Sequence, residues 1–152
     1  MSLTYGFATT KDLFAKLERD AEALNKHVTS DQFFNFVVTG YSMIDWVRND
    51  PSIPTPAKDA VVVQNLYDDK WIKVCGDLAT ASKHFALTRR IPITASADTA
   101  QGYGVGRYGV GKYGIGEESI LVQMNDGNHF HCLDLVTGVL ESWRSFFLTY
   151  GI

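Results

Sequence analysis

Cysteine is nearly missing from this sequence. The two present, Cys75 and Cys132, stand far apart with no C-x-x-C spacing, which excludes a disulfide scaffold and a four-cysteine zinc site. Each is expected to be an ordinary buried thiol. Long apolar runs are missing too, since no stretch approaches the roughly 18 to 20 residues that cross a bilayer. No membrane partner is expected. The first residues carry no charged-then-apolar leader pattern, so the expected location is cytoplasmic. Charge of one sign is also absent: 14 basic against 17 acidic residues leave a net charge of −3. This excludes a globally basic nucleic-acid binder but leaves room for a local patch.

What is present is a chain of 152 residues, 45% apolar and 20% charged, the size of a single domain over residues 1–152 that can bury its own core. Its first part reads as helices, about residues 10–85. Thr9 and Asp12 form a capping box ahead of Leu13, Leu17, Ala21 and Leu24, which recur at helical spacing to about residue 27. Ser30 is a candidate cap for a second helix whose stripe is Phe33, Val37, Tyr41, Ile44 and Val47. Phe34, Phe36, Val38 and Trp46 widen that stripe until the helix is apolar on most sides, and Asp50-Pro51 stops it. Pro51, Pro54 and Pro56 make a stiff connection. Pro56 then suits the first position of a helix to Leu66 or Tyr67, with Val61-Val62-Val63 leaving strand as the alternative. Asp68 or Asp69 can cap a fourth helix carrying Trp71, Val74, Cys75, Leu78 and Phe85.

After Phe85 the period changes. Leu87, Arg89, Ile91 and Ile93 alternate with polar residues and Pro92, as in an edge strand. Ser119 to Met124 reads as a second strand, Asn125-Asp126-Gly127-Asn128 as a turn, and His129 to Leu133 as a returning strand. Asp134 to about residue 149 reads as a closing helix bearing Val136, Leu140, Trp143 and Phe147, despite Gly138. The expected class is α+β: an N-terminal helical bundle, a small antiparallel sheet carrying a glycine-rich loop, and a closing C-terminal helix. The expected core is Phe33, Phe34, Val37, Tyr41, Ile44, Trp46, Trp71, Leu78, Trp143 and Phe147.

Seven of the 13 glycines fall between Gly102 and Gly116, in the successive units Tyr-Gly-Val-Gly-Arg, Tyr-Gly-Val-Gly-Lys and Tyr-Gly-Ile-Gly-Glu. Glycines at the second and fourth places of a five-residue repeat generate G-x-G-x-x-G automatically, without the strand-then-helix context a dinucleotide needs. The P-loop likeness fails at Tyr113, where magnesium would require a serine or threonine. No cofactor is expected. An odd period gives no single buried strand face, which favours a hairpin-extending glycine loop. From Leu78 to Gly116, however, five basic residues face one acid, Asp98. Arg89, Arg90, Arg107 and Lys112 interleaved with Tyr103, Tyr108 and Tyr113 could pair with phosphates while the rings stack on unpaired bases. Contact with RNA or single-stranded DNA is therefore an alternative function.

Among other polar residues, Asp45 lies in the apolar run Met43 to Val47, where a buried carboxylate would need a partner; Arg48, one turn on, is the simplest. Asp77 has Lys73 four residues earlier, and lies two turns from His84 on one helix side. Asp45, Asp77, Lys83 and His84 form a candidate polar cluster. His129-x-His131 shares one strand face and, with His84, is a candidate metal set for a metal-dependent enzyme. No nucleophile elbow or complete catalytic set appears, and the reading leans away from catalysis.

Asp77-Leu78-Ala79-Thr80-Ala81-Ser82-Lys83-His84 resembles a D-L-A-x-x-S-K-H segment of uncharacterised bacterial and phage proteins, and the aromatic helix ending Asp45-Trp46 resembles the helix preceding it there. Those helical proteins are similar to the HEPN class, whose ribonuclease members use an arginine followed a few residues later by a histidine. That pair is not matched here, since Arg19 and His27 have seven residues between them and Lys83 adjoins His84. The resemblance implies a bacterial or phage origin and draws attention to Asp45, Asp77, Lys83 and His84 without assigning them roles. The leading expectation is a noncatalytic accessory or interaction domain that forms a homo-oligomer, because aromatic density is high.

Overall fold

The structure is a computed structural model and describes residues 2–100 and 119–152, with Ala100 as backbone alone. The Tyr-Gly repeat, including Tyr103, Arg107, Tyr108, Lys112 and Tyr113, lies outside the described residues. The fold is α+β. Among the described residues the order is α1 (Thr10–Lys26), α2 (Ser30–Asn49), a 3-10 turn (Thr55–Lys58), α3 (Ala60–Asp68), α4 (Lys70–His84), β1 (Thr94–Ala100), β2 (Ser119–Met124), β3 (His129–His131) and α5 (Cys132–Tyr150). None of these helices is long and apolar enough to cross a membrane.

The expected capping box opens α1: the Asp12 amide donates to the Thr9 hydroxyl at 3.2 Å, and the Asp12 carboxylate accepts from the Thr9 amide at 2.9 Å. Leu13, Leu17, Ala21 and Leu24 are buried as one stripe. The cap of α2 is Thr29, one residue before the expected Ser30, and its hydroxyl accepts from the Gln32 amide at 3.1 Å. Phe33, Phe36, Val37, Met43, Ile44 and Val47 are buried along α2. Phe34, expected in the core, is 48% exposed, and Tyr41 and Trp46 are only half-buried, because the widened stripe outruns the surface available to cover it.

Asp50 does more than stop α2. Its buried carboxylate accepts from the Thr10 amide (2.6 Å) and hydroxyl (2.9 Å), and from the Ser52 amide (2.8 Å) and hydroxyl (2.6 Å), tying the start of α1 to the end of α2. Burial acts to raise its pKa, but the Ser52 hydroxyl, the Thr10 and Ser52 amides and the Thr10 hydroxyl together hold it at about 2, below the ordinary 3.8. A carboxyl depressed by folding contributes stability that is complete above its unfolded value and lost as pH falls through its folded value. Unfolding measured from about pH 5 down to about pH 2 should therefore show the native chain losing up to about 2 kcal/mol that an Asp50→Asn variant does not lose.

Pro56 lies in the 3-10 turn instead of starting a helix, because Asp59 then adopts an extended backbone and itself caps α3, accepting from the Val61 amide at 2.9 Å. Val61-Val62-Val63 is helical. Asp69 caps α4, accepting from the Trp71 and Ile72 amides at 3.0 Å each, while the Ser142 hydroxyl of α5 donates to the same carboxylate at 3.0 Å. Phe85 is not a core residue: it terminates α4 at φ +66° and is 97% exposed.

The expected strand from Leu87 to Ile93 is not formed, and β1 begins only at Thr94. Pro92 has no amide to donate, and the Ile93 and Thr94 amides turn to the Asp77 carboxylate instead of to a strand. The sheet is antiparallel in the order β1-β2-β3, with Asp98 opposite Leu121, Thr99 opposite Ile120 and Gln123 opposite His129. Ile120, Val122 and Met124 are buried, whereas Leu121 and Gln123 are exposed. The turn after β2 uses Gly127 at φ +89°. The strand expected to Leu133 ends at His131, because that residue caps α5: its Nδ1 accepts from the Leu133 amide at 3.1 Å, and the Asp134 carboxylate accepts from its amide at 3.2 Å. Helix α5 thus starts at Cys132, two residues before the expected Asp134. It carries the buried Leu135, Val139, Trp143, Phe146 and Phe147 into the bundle, and the Trp143 indole donates to the Gly40 carbonyl at 3.1 Å.

Candidate interaction groove

The N-terminal half of α2, the C-terminal half of α4 and strand β1 enclose a groove of about 400 Å³. Helix periodicity places Phe33, Phe34 and Val37 on one wall and Leu78 and Ala81 on another, and Ala97 of β1 contributes almost no bulk. The small side chains of β1 leave the space open. Among the described lining residues one side chain is ionisable, Asp77.

Asp77 is 2% exposed and its acceptor capacity is taken up. Oδ1 accepts from Arg90 Nε at 2.5 Å; Oδ2 accepts from the Ile93 amide (2.9 Å), the Thr94 amide (3.1 Å) and the Thr94 hydroxyl (2.9 Å). The rest of the Arg90 guanidinium donates to the Tyr41 hydroxyl at 2.9 Å and the Lys73 carbonyl at 3.0 Å. Burial works against the Arg90 charge, but the Asp77 hydrogen bond and Tyr41 raise its pKa above the ordinary value. Gly76 makes room for this clamp, since a β-carbon there would lie 2.5 Å from Tyr41 Cε1 and 2.7 Å from Arg90 Nη2. The clamp fastens the connection after α4 to the helix and sets where β1 begins.

The proposed polar cluster does not converge. Asp77 alone of the four lines the groove. Asp45 is exposed, not buried, and pairs with Arg48 at 3.6 Å; it borders a separate depression with Trp46, Asn49 and the N-terminal segment. Lys83 and His84 are exposed on the last turn of α4. Lys73 is not the partner of Asp77; Arg90 is. Of the expected phosphate-contacting residues, Arg89 is exposed, whereas the Arg90 guanidinium is committed to Asp77, Tyr41 and Lys73.

His129 and His131 do alternate on β3, opposite the exposed Gln123 and Leu121, but His131 serves as the cap of α5 and His84 is on α4. Among the described residues no three His, Cys, Asp or Glu side chains are grouped to hold a metal ion. Both cysteines are buried, as expected. Burial pushes the Cys75 thiol well above its ordinary pKa, and it donates to the Val37 carbonyl, so it is a packing group and not a nucleophile.

Sequence reasoning missed Arg90 as the partner of Asp77, Asp50 as a clamp and the Asp69–Ser142 bond. Gly76 beside Asp77 was an available signal, since glycine inside a helical pattern often marks a close approach. Comparison with protein-family models, with curated proteins and with solved structures gives no match to this chain.

Proposed function

We propose that this protein is a noncatalytic interaction domain that self-associates through the face formed by the groove and β1. The observation that carries this reading is the groove itself: its walls are mainly apolar with a few serine and threonine hydroxyls, and its one ionisable side chain among the described residues is saturated by four hydrogen bonds within the chain. Such a surface offers contact area without a group prepared to move a proton. Phe34 extends it outward at 48% exposure, in keeping with a surface that another molecule covers. Sedimentation velocity over a micromolar to millimolar range should show mass rising with concentration, and Phe34→Ser should shift the midpoint to higher concentration. A strict monomer throughout that range overturns the reading.

A further inference from the structure

Helix α4 ends in a way that its own stability does not explain. Phe85 occupies the cap at φ +66°, a backbone conformation that is strained for a bulky side chain and suits glycine. Helix α5 ends at the same φ, and there the residue is Gly151. The Phe85 ring is moreover 97% exposed, so burial within the chain does not offset that strain. Strain of this kind clusters at positions that contact a ligand.

The charges near the ring point to the ligand's sign. Lys83 and Arg89 are exposed, and neither meets a carboxylate among the described residues, whereas Lys16, Lys26, Arg48, Arg90 and Arg144 each do. No aspartate or glutamate occurs from residue 78 to residue 97. The connection that carries the ring is held at both ends. The Phe85 amide donates to the Ala81 carbonyl at 2.7 Å, and the Arg90 guanidinium is fixed by Asp77, Tyr41 and the Lys73 carbonyl. Lys83, Phe85 and Arg89 all stand outside the lining of the groove.

We propose that the end of α4 and the connection after it form a contact site for single-stranded nucleic acid, with a base stacked on Phe85 and neighbouring phosphates paired with Lys83 and Arg89. A bare ring beside unpaired cations suits such a strand, because every base offers a π-face and every link a negative charge. An anionic lipid surface fits less well, since it calls for a continuous apolar face beside the cations. Here Leu87 is turned to the groove, and Ile91, the next exposed apolar side chain, lies beyond Arg89 and the pinned Arg90. The contact leaves the groove untouched and does not depend on self-association.

Fluorescence anisotropy of the full chain with labelled oligothymidylate of about twelve nucleotides tests the site. Phe85→Gly should weaken binding by about five- to a hundredfold, the loss of one base stack, while unfolding at no lower a urea concentration than the native chain because glycine relieves the backbone. Phe85→Leu, which keeps apolar bulk without a ring, should bind about as weakly as Phe85→Gly. Replacing both cations, Lys83→Gln with Arg89→Gln, should flatten the dependence of log affinity on log salt by about 1.4, or about 0.7 for each. No binding by the native chain at low salt overturns the proposal, as does binding that Phe85→Gly leaves unchanged. Binding to phosphatidylserine vesicles that Phe85→Leu retains, without binding to oligothymidylate, assigns the ring to a lipid surface and overturns it as well.

Discussion

Alanine in place of Asp77 should lower the free energy of unfolding by about 2 to 4 kcal/mol, because it strands a partly buried guanidinium without its counter-charge. The Ile93 and Thr94 amides and the Thr94 hydroxyl lose their acceptor in the same step. Arg90 is then held by Tyr41 and the Lys73 carbonyl alone. Urea denaturation of the purified variant measures the loss directly. Adding Arg90→Met to Asp77→Ala should recover part of it, since removing both charges eliminates the uncompensated one. A loss below about 1 kcal/mol in the single variant would show that the carboxylate contributes no more than an exposed ion pair does.

Gly138→Ala is the second large effect, and its sign is diagnostic. In an unobstructed helix the change would stabilise by about 1 kcal/mol through backbone entropy. Here a β-carbon would lie 2.5 Å from Cε2 of Trp71 and nearer still to the neighbouring ring atoms. Trp71 cannot simply withdraw, since its ring packs edge-to-face on Phe130 with centroids 5.2 Å apart and carries the Lys70 ammonium on its face. The expected net result is a loss of about 1 to 3 kcal/mol, as for overpacked cores. Thermal or urea unfolding reads it, and Trp71→Leu in the same chain should return much of the loss. A gain in stability from Gly138→Ala would show that the ring does not rest on the glycine.

These two sites mark how far the sequence could be read. Period and capping residues located the helices: Leu13, Leu17, Ala21 and Leu24 are buried as their spacing predicts, and Thr9 with Asp12 caps α1. Such signals are local, arising within a turn or two of the helix they describe. The bond from Arg90 to Asp77 joins residues 13 positions apart across a chain reversal, and alternation around Arg90 matched a strand instead. Pro92 is tolerable in an edge strand, yet the backbone just after it serves the Asp77 carboxylate. For the same reason Gly138 looked like a weakness in α5, when it is the seat of a tryptophan from another helix. The groove was not legible at all, because its openness depends on β1 presenting alanine and threonine toward α2 and α4, a pairing of faces that periodicity cannot supply.

Helix α5 has a consequence for how the chain matures. Its Trp143 is fully enclosed and bonded to the middle of α2, and its Phe147 packs edge-to-face with Phe14 of α1 at a centroid distance of 5.0 Å. The earlier helices therefore leave a ribosome with part of their inner surfaces uncovered until α5 has been synthesised. Nascent chains halted before residue 132 lack this cover and should be the species that chaperones engage.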